Sequence, residues 1–246
     1  MQRIDINCDL GEEAAHDEEL LPFISSINIA CGAHAGNKTI MQWLVEKAGA
    51  KGIAIGAHPG YHDREHFGRR HLYLPAADIY RLVFDQVKDL HACCETAGFP
   101  LRHVKLHGAL YNQAAADPQI AMPVCDAIHD IDPSLKVFGL SGSIFLELAA
   151  AKGLQPVAEV FADRRYTDEG TLVPRTDPRA LIERPEEAIA QALQLISRQT
   201  VTTLSGKMTG VKADTICLHG DGPQAVDFAK QLYQALQPLP ISIQAL

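Results

Sequence analysis

The chain has no C-x-x-C pair among its six cysteines, no run of basic residues, and no apolar stretch approaching the roughly 18 residues that a membrane-spanning helix needs. Scattered at Cys8, Cys31, Cys93, Cys94, Cys125 and Cys217, the cysteines suggest neither a zinc knuckle nor a disulfide framework, and reduced thiols are expected. Cys8, Cys31 and Cys217 each lie in an apolar run, where a small buried hydrophobe is the simpler reading than a nucleophile. A formal net charge of −8, from 22 Lys plus Arg against 30 Asp plus Glu, argues against nucleic acid or an anionic membrane as partner and favours a small polar ligand. The Gly-rich dinucleotide fingerprint and the Walker A loop are also missing, so no standard nucleotide cradle is read. The N-terminus runs directly into Ile4-Asp5-Ile6-Asn7-Cys8-Asp9 without a charged leader and apolar segment, and a cytoplasmic protein is expected.

What is present is alternation. Short β-branched runs, at residues 3–8, 27–31, 53–57, 103–106, 136–140, 157–161 and 215–218, predict seven strands. Between them, residues 38–50, 76–97, 118–131, 143–152, 185–198 and 223–236 carry apolar side chains at i, i+3, i+4 spacing and predict helices. Strands joined by helical crossovers must be parallel, because such a crossover returns the chain to the same end of the sheet. The expected fold is therefore α/β: a distorted, TIM-barrel-like (β/α) barrel with seven or eight strands, in one domain over residues 1–246, with an open doubly wound sheet as the other arrangement. The stretch 165–182, with Gly170, Pro174 and Pro178, has no clear period and is long enough to be a functional loop.

Almost every predicted strand ends in a polar cluster. These are Asn7-Cys8-Asp9-Leu10-Gly11-Glu12, Asn28 through Gly36 with His34, Gly56-Ala57-His58-Pro59-Gly60-Tyr61, Lys105-Leu106-His107 through Asn112, Glu159 through Arg164 with Asp163, and His219-Gly220-Asp221. In a parallel β/α fold all these ends meet at one face, where such folds place their active sites. Helix capping explains a polar residue after a strand, but not the repeated pairing of His with small residues that leave room for a ligand. Lys105 and Glu159 lie within strands, where an inward charge is costly unless paired. They read either as a buried ion pair or as a cation and carboxylate lining the pocket.

Taken together, these clusters resemble the LamB/YcsF family, the A subunits of prokaryotic 5-oxoprolinase, in the family's motif order from residue 5 to residue 221. Ala33 stands where the family usually has Phe, Asn37 where it has Asp, and Leu106 where a Pro is usual. The resemblance implies a barrel related to the glycoside hydrolase and polysaccharide deacetylase superfamily. It implies ATP-dependent opening of the lactam of 5-oxo-L-proline to L-glutamate, with ADP and phosphate released, in complex with two companion subunits, B and C. ATP is then the co-substrate of the complex. Because this chain lacks a phosphate loop, the companions are expected to contribute ATP binding, while the barrel accepts the activated lactam.

For that reaction Asp9 or Asp163 is the candidate to take a proton from water, and His107 the candidate to protonate the leaving nitrogen. Lys105 and Arg164 would hold negative oxygens, Glu159 joins the catalytic set, and Asn28, Arg164 and His219 are assigned to substrate binding. The likeness to deacetylases, which use an Asp and two His as metal ligands, marks Asp9, His34 and His58 as candidates for a divalent ion, with hydrogen-bonding histidines as the plainer reading. Two rival functions remain open: a metal-dependent deacetylase of a sugar amide, and a non-catalytic subunit that presents substrate to its partners.

Overall fold

The computed structural model describes residues 2–13, 16–218 and 225–246. Seven parallel strands close into a barrel: β1 (Gln2–Leu10), β2 (Ser26–Ala30), β3 (Ala54–His58), β4 (Leu101–Lys105), β5 (Lys136–Leu140), β6 (Gln155–Phe161) and β9 (Thr215–Leu218), with β9 returning to pair with β1. The crossovers run through α2 (Lys38–Ala50), α3 (Ala76–Ala97), α4 (Gly108–Ala116), α5 (Pro118–Ile131), α6 (Ile144–Ala151) and α7 (Pro185–Arg198), and α8 (Ala225–Leu236) follows β9. The strands and amphipathic helices thus stand where the periodicity put them, within a few residues.

Besides the one-turn helix α1 (Asp17–Leu20) and two short 3-10 turns, three features of the described residues escaped the pattern. Helix α4 is short, opens on Gly108 and buries Ala109, Leu110, Tyr111, Gln113 and Ala114, so it has no polar face to give a period. A hairpin of β7 (Thr200–Thr202) and β8 (Met208–Gly210) fills the link from α7 to β9. Strand β10 (Ile241–Ile243) adds to the N-terminal half of β1, outside the closed ring. The hairpin strands and β10 are each three residues long, too short for alternation to register.

Alternation in the barrel strands divides two environments, since successive side chains point to opposite faces. In β1, Ile4, Ile6, Cys8 and Leu10 join the apolar shell with Leu44, Val45, Val83, Val87, Ile128 and Ile216 of the other elements. Each fully buried aliphatic side chain there contributes about 1.5–3 kcal/mol. The intervening Asp5, Asn7 and Asp9 bond instead to residues of β2, β6, β9 and β4 across the barrel interior. That interior is polar, and its charges are matched in layers. At the bottom, Ser25, Ser26 and Thr215 all donate to the buried Asp5 carboxylate, at 2.6, 2.7 and 2.5 Å. Burial raises the Asp5 carboxyl above its ordinary value, against those three hydrogen bonds. One layer up, His103 stacks on Phe138 at 4.1 Å and meets Asn28 Oδ1 at 2.8 Å. Only glycine fits beside it, because a Cβ on Gly56 would lie 2.0 Å from His103 Nε2.

Helix ends are set locally. Asn37, where the family usually carries Asp, is the N-cap of α2 and accepts from Ile40 N at 3.1 Å, a task either side chain performs. Asp117 caps α5 in the same way, with Pro118 at the first helical position. Among the described residues no helix is long and apolar enough to cross a membrane.

Candidate active site

The C-terminal ends of the strands open into a cleft of about 560 Å³ whose lining includes Asp9, Glu12, His58, Lys105, His107 and Arg164. Its outer walls come from two long connections. One follows β3 and brings Arg69 and His71; the other follows β6 and brings Leu172 through Thr176, from the aperiodic stretch 165–182. The first is braced by Arg70, which donates to the buried Asp63 carboxylate at 2.7 and 3.0 Å. The second is held by antiparallel bridges between Arg164 and Leu181 and between Tyr166 and Leu172.

At the floor stands Lys105. Its Nζ lies 2.8 Å from Asp9 Oδ1, 2.9 Å from Glu159 Oε1, 3.2 Å from Asn7 Oδ1 and 3.0 Å from Cys217 Sγ. An ammonium carries three N–H groups, so four neighbours leave none uncommitted for a ligand. Burial works against the charged lysine, but Asp9 and the other neighbours outweigh it and hold the ammonium well above its ordinary value. Glu159 is completely buried and also accepts from Asn7 Nδ2 at 3.0 Å, so it lies beneath the cleft rather than in its lining. Asn28 is buried too and donates to Asn7 Oδ1 and Asp9 Oδ1 at 2.7 and 2.8 Å. Burial would raise Asp9, yet His58 and Lys105 reverse the sign and bring it down to about 2. Asp9 is therefore ionised at neutral pH, and its Oδ1 is fixed by Lys105 and Asn28.

Beside Asp9 four groups converge: Glu12, His34, His58 and His107 place ligating atoms within 4.8 Å of one another. Glu12 Oε1 lies 3.1 Å from His107 Nδ1, 3.2 Å from His34 Nε2 and 3.5 Å from His58 Nε2. Burial would raise Glu12, but the three imidazoles hold it well below the usual carboxylate range. The rings of His34 and His107 stack face to face at 3.7 Å, and a Cβ on Gly60 would come within 2.8 Å of His34 Nδ1.

The tautomers of two rings follow from their outer partners. His58 Nδ1 lies 2.8 Å from the Lys105 carbonyl and His107 Nε2 2.9 Å from the Phe67 carbonyl. A carbonyl only accepts, so both of those nitrogens carry hydrogen. Their other nitrogens, His58 Nε2 and His107 Nδ1, are 3.0 Å apart and both face the Glu12 carboxylate. Two lone pairs and an anion in mutual contact repel unless a proton or a cation sits among them. The raised value of His58 reflects this: burial would lower it, and Asp9 and Glu12 more than compensate. His34 is lowered to about 4, chiefly by burial, and so offers a neutral ring. Three imidazoles, two of them backed by carbonyls, together with a carboxylate, form the donor set that suits a divalent ion of the zinc kind, which would take the place of a proton among them.

The structure thus brings Asp9, His58, Lys105, His107 and Arg164 to one cleft, with His34, Asn28 and Glu159 buried beneath or beside it. Asp163 follows β6 but is not in the cleft lining, and His219 lies outside the described residues. Expected with the metal candidates, Asp9 touches the histidine cluster only through Oδ2, 3.5 Å from His58 Nε2. His107, expected as a proton donor, belongs to that cluster. Glu12 is absent from the candidates that the sequence suggests. The signal for it is its place three residues beyond Asp9, past the turn at Gly11, whose φ of +77° needs glycine.

A closed parallel β/α barrel with a cleft of matched charges at the strand ends defines the class, that of barrels whose chemistry sits at the C-terminal face. The chain belongs to the LamB/YcsF family, which it matches over residues 4–246. It is 47% identical to the 5-oxoprolinase A chain of Bacillus cereus (strain AH187), over 99% of this chain and 98% of the relative. It is 37% identical to the lactam utilization protein of Thermus thermophilus, whose crystal structure superposes with a TM-score of 0.93 over 99% of this chain and 100% of the other. The catalytic domain of a peptidoglycan N-acetylglucosamine deacetylase from Eubacterium rectale ATCC 33656 shares the fold at 10% identity, with a TM-score of 0.56 over 100% and 88% of the two chains.

Proposed function

We propose that this chain is the A component of an ATP-dependent 5-oxoprolinase, which opens the lactam of 5-oxo-L-proline to L-glutamate with two companion subunits. The observation that carries the reading is the cleft itself: a fixed carboxylate, Asp9, beside an array of three histidines and Glu12, in a chain 47% identical to a relative of that name. A five-membered lactam resists water because its amide carbonyl is a poor electrophile and its nitrogen a poor leaving group. Phosphorylation of the carbonyl oxygen by ATP would relieve the first difficulty. The sequence has no phosphate loop, so ATP binding is assigned to the companions and completion of hydrolysis to this barrel.

Within the cleft, Asp9 is the carboxylate of the two candidates that faces a ligand, but at about 2 it is a weak base. Its Oδ2 lies beside His58, whose imidazolium it favours, so the proton from water is assigned to the His58–His107–Glu12 array and Asp9 to orienting it. The same array returns a proton to the leaving nitrogen. Lys105 fixes Asp9 and Glu159, and Arg164 is left to hold ligand oxygens.

The convergent lone pairs of His58 and His107 favour a second reading, a metal-assisted amide hydrolase. Glu12, His34, His58 and His107 would hold a divalent ion, which would polarise a carbonyl as a Lewis acid. One experiment separates the two: glutamate release from 5-oxoproline by the purified chain, alone and with its companions, with and without ATP. Activity only from the reconstituted complex with ATP is expected. Full ATP-independent amide hydrolysis by the chain alone, abolished by a chelator, would replace the first reading with the second.

A further inference from the structure

The cleft's arginines are unevenly placed for so acidic a protein. Arg164 and Arg175 enter it from the connection after β6, and Arg69 from the connection after β3. In the closed ring, β6 is separated from β3 by β4 and β5 on one side and by β9, β1 and β2 on the other. The two connections therefore rise from opposite sides of the barrel mouth. The two carboxylates lining the same cleft are already matched, Asp9 by Lys105 and Glu12 by the histidines. Neither carboxylate of the lining is therefore spare for Arg164.

Arg164 carries the argument further. It is only 6% exposed, one Nη donates to the Val173 carbonyl at 2.8 Å, and its Nε has no hydrogen-bond acceptor among the described residues. A buried guanidinium N–H without an acceptor is costly, and a like charge in the same wall compounds the cost. Burial, and then Arg175, lower Arg164 from its ordinary value, and the neighbouring Asp163 carboxylate offsets only part of this, although a guanidinium stays charged throughout. A bound anion removes both penalties, and the planar fork of Arg matches a carboxylate with two parallel hydrogen bonds.

We propose that Arg164 and Arg175 form the subsite for the carboxylate of a small cyclic amide, so that the group distinguishing 5-oxoproline from a plain lactam is read on the β6 side of the cleft. This rests on the 5-oxoprolinase reading above. The ring then spans the mouth, and its amide lies over Asp9 and the histidine array. Selectivity comes from charge and fork geometry rather than from ring size, because a neutral carboxamide offers a single acceptor oxygen and turns an NH2 donor towards the rest of the guanidinium fork.

The test uses the reconstituted complex and two substrates, 5-oxo-L-proline and its neutral carboxamide. The wild type should prefer the acid by roughly 30-fold in kcat/KM, the difference expected for one charge-assisted bidentate contact. Arg175→Gln, at an exposed position that tolerates polar replacement, should raise KM for the acid by about 10-fold or more and leave the carboxamide within about twofold. Where melting shows it folded, Arg164→Gln should lower the preference for the acid over the carboxamide at least as far, with partial rescue by Arg164→Lys. Equal losses on both substrates in Arg175→Gln, or no preference in the wild type, overturn the assignment. Binding of inorganic phosphate that Arg175→Gln abolishes, with acid and amide turned over alike, likewise overturns it in favour of a phosphoryl group. Should the wild-type complex open neither lactam, the 5-oxoprolinase reading has failed, and calorimetry on the intact chain decides the subsite. Binding of the acid that Arg175→Gln weakens and the amide does not share supports it, and equal or absent binding of both refutes it.

Discussion

Replacing Lys105 with methionine should expose how the barrel floor is held together. The ammonium is 2.8 Å from Asp9 and 2.9 Å from Glu159, and at an effective dielectric of about 20 each contact is worth roughly 6 kcal/mol of attraction. Desolvation of three ions takes back most of that sum, so the net value is far smaller than the attraction. Removal is different, because Lys105→Met leaves two carboxylates without their shared cation, and a loss of about 3–5 kcal/mol is expected. Adding Glu159→Leu should restore only part of the loss, since Asp9 stays charged and unpaired on that side. A further Asp9→Asn should bring the triple variant to within about 2 kcal/mol of the wild type. Urea unfolding at neutral pH, with the slope against denaturant unchanged, measures each step. Turnover of the complex should fall about 100-fold in the single and double variants alike, because Asp9 loses the group that positions it. A loss below about 1 kcal/mol for Lys105→Met, or full recovery in the double variant, would refute the three-ion account.

Three further outcomes follow from particular contacts. Gly56→Ala drives a Cβ to 2.0 Å from His103 Nε2 and should cost about 1–3 kcal/mol, read as a lower melting temperature; an unchanged melt would mean the imidazole relocates freely. His103 is lowered to about 3, first by burial, so below about 6.5 the unfolded chain binds a proton that the folded one refuses, and stability falls with pH across that window. His103→Gln should flatten the decline between pH 6 and pH 4 by about 2 kcal/mol, and an identical slope in the two proteins would sink the assignment. Loaded with zinc and dialysed, the chain should retain about one ion, and His58→Ala together with His107→Ala should lose it. Retention by that double variant would place the ion elsewhere.

Most of the barrel could be read from periodicity. The apolar runs and amphipathic helices recur because each strand must bury its outer face against a helix, and that demand acts on local sequence. What failed were elements with too little length or polarity to show a period: α4, which is buried nearly all round, and the three-residue strands. Site residues behaved likewise. The place of the candidates Asp9, His58, Lys105 and His107 in the cleft lining could be read because each lies at or just beyond the end of a strand, and in a parallel barrel those ends share one face.

The partnerships among them were not findable. Lys105 reads in sequence as the mate of Glu159 alone, and only closure of the ring, which brings β1 against both β2 and β9, adds Asp9, Asn7 and Cys217 to its neighbours. Glu12 joins three histidines at or beyond the ends of three different strands because the turn at Gly11 folds it back over the mouth, and the pairing of His58 with His107 depends on backbone carbonyls that fix their tautomers. The sequence by itself determined which residues form strands and which end they occupy, since burial of alternate side chains is a local requirement. Which charge neutralises which was decided only by the tertiary structure, because a distance of a few ångströms between Asp9 and Lys105, 96 positions apart, is set by the register and closure of the barrel.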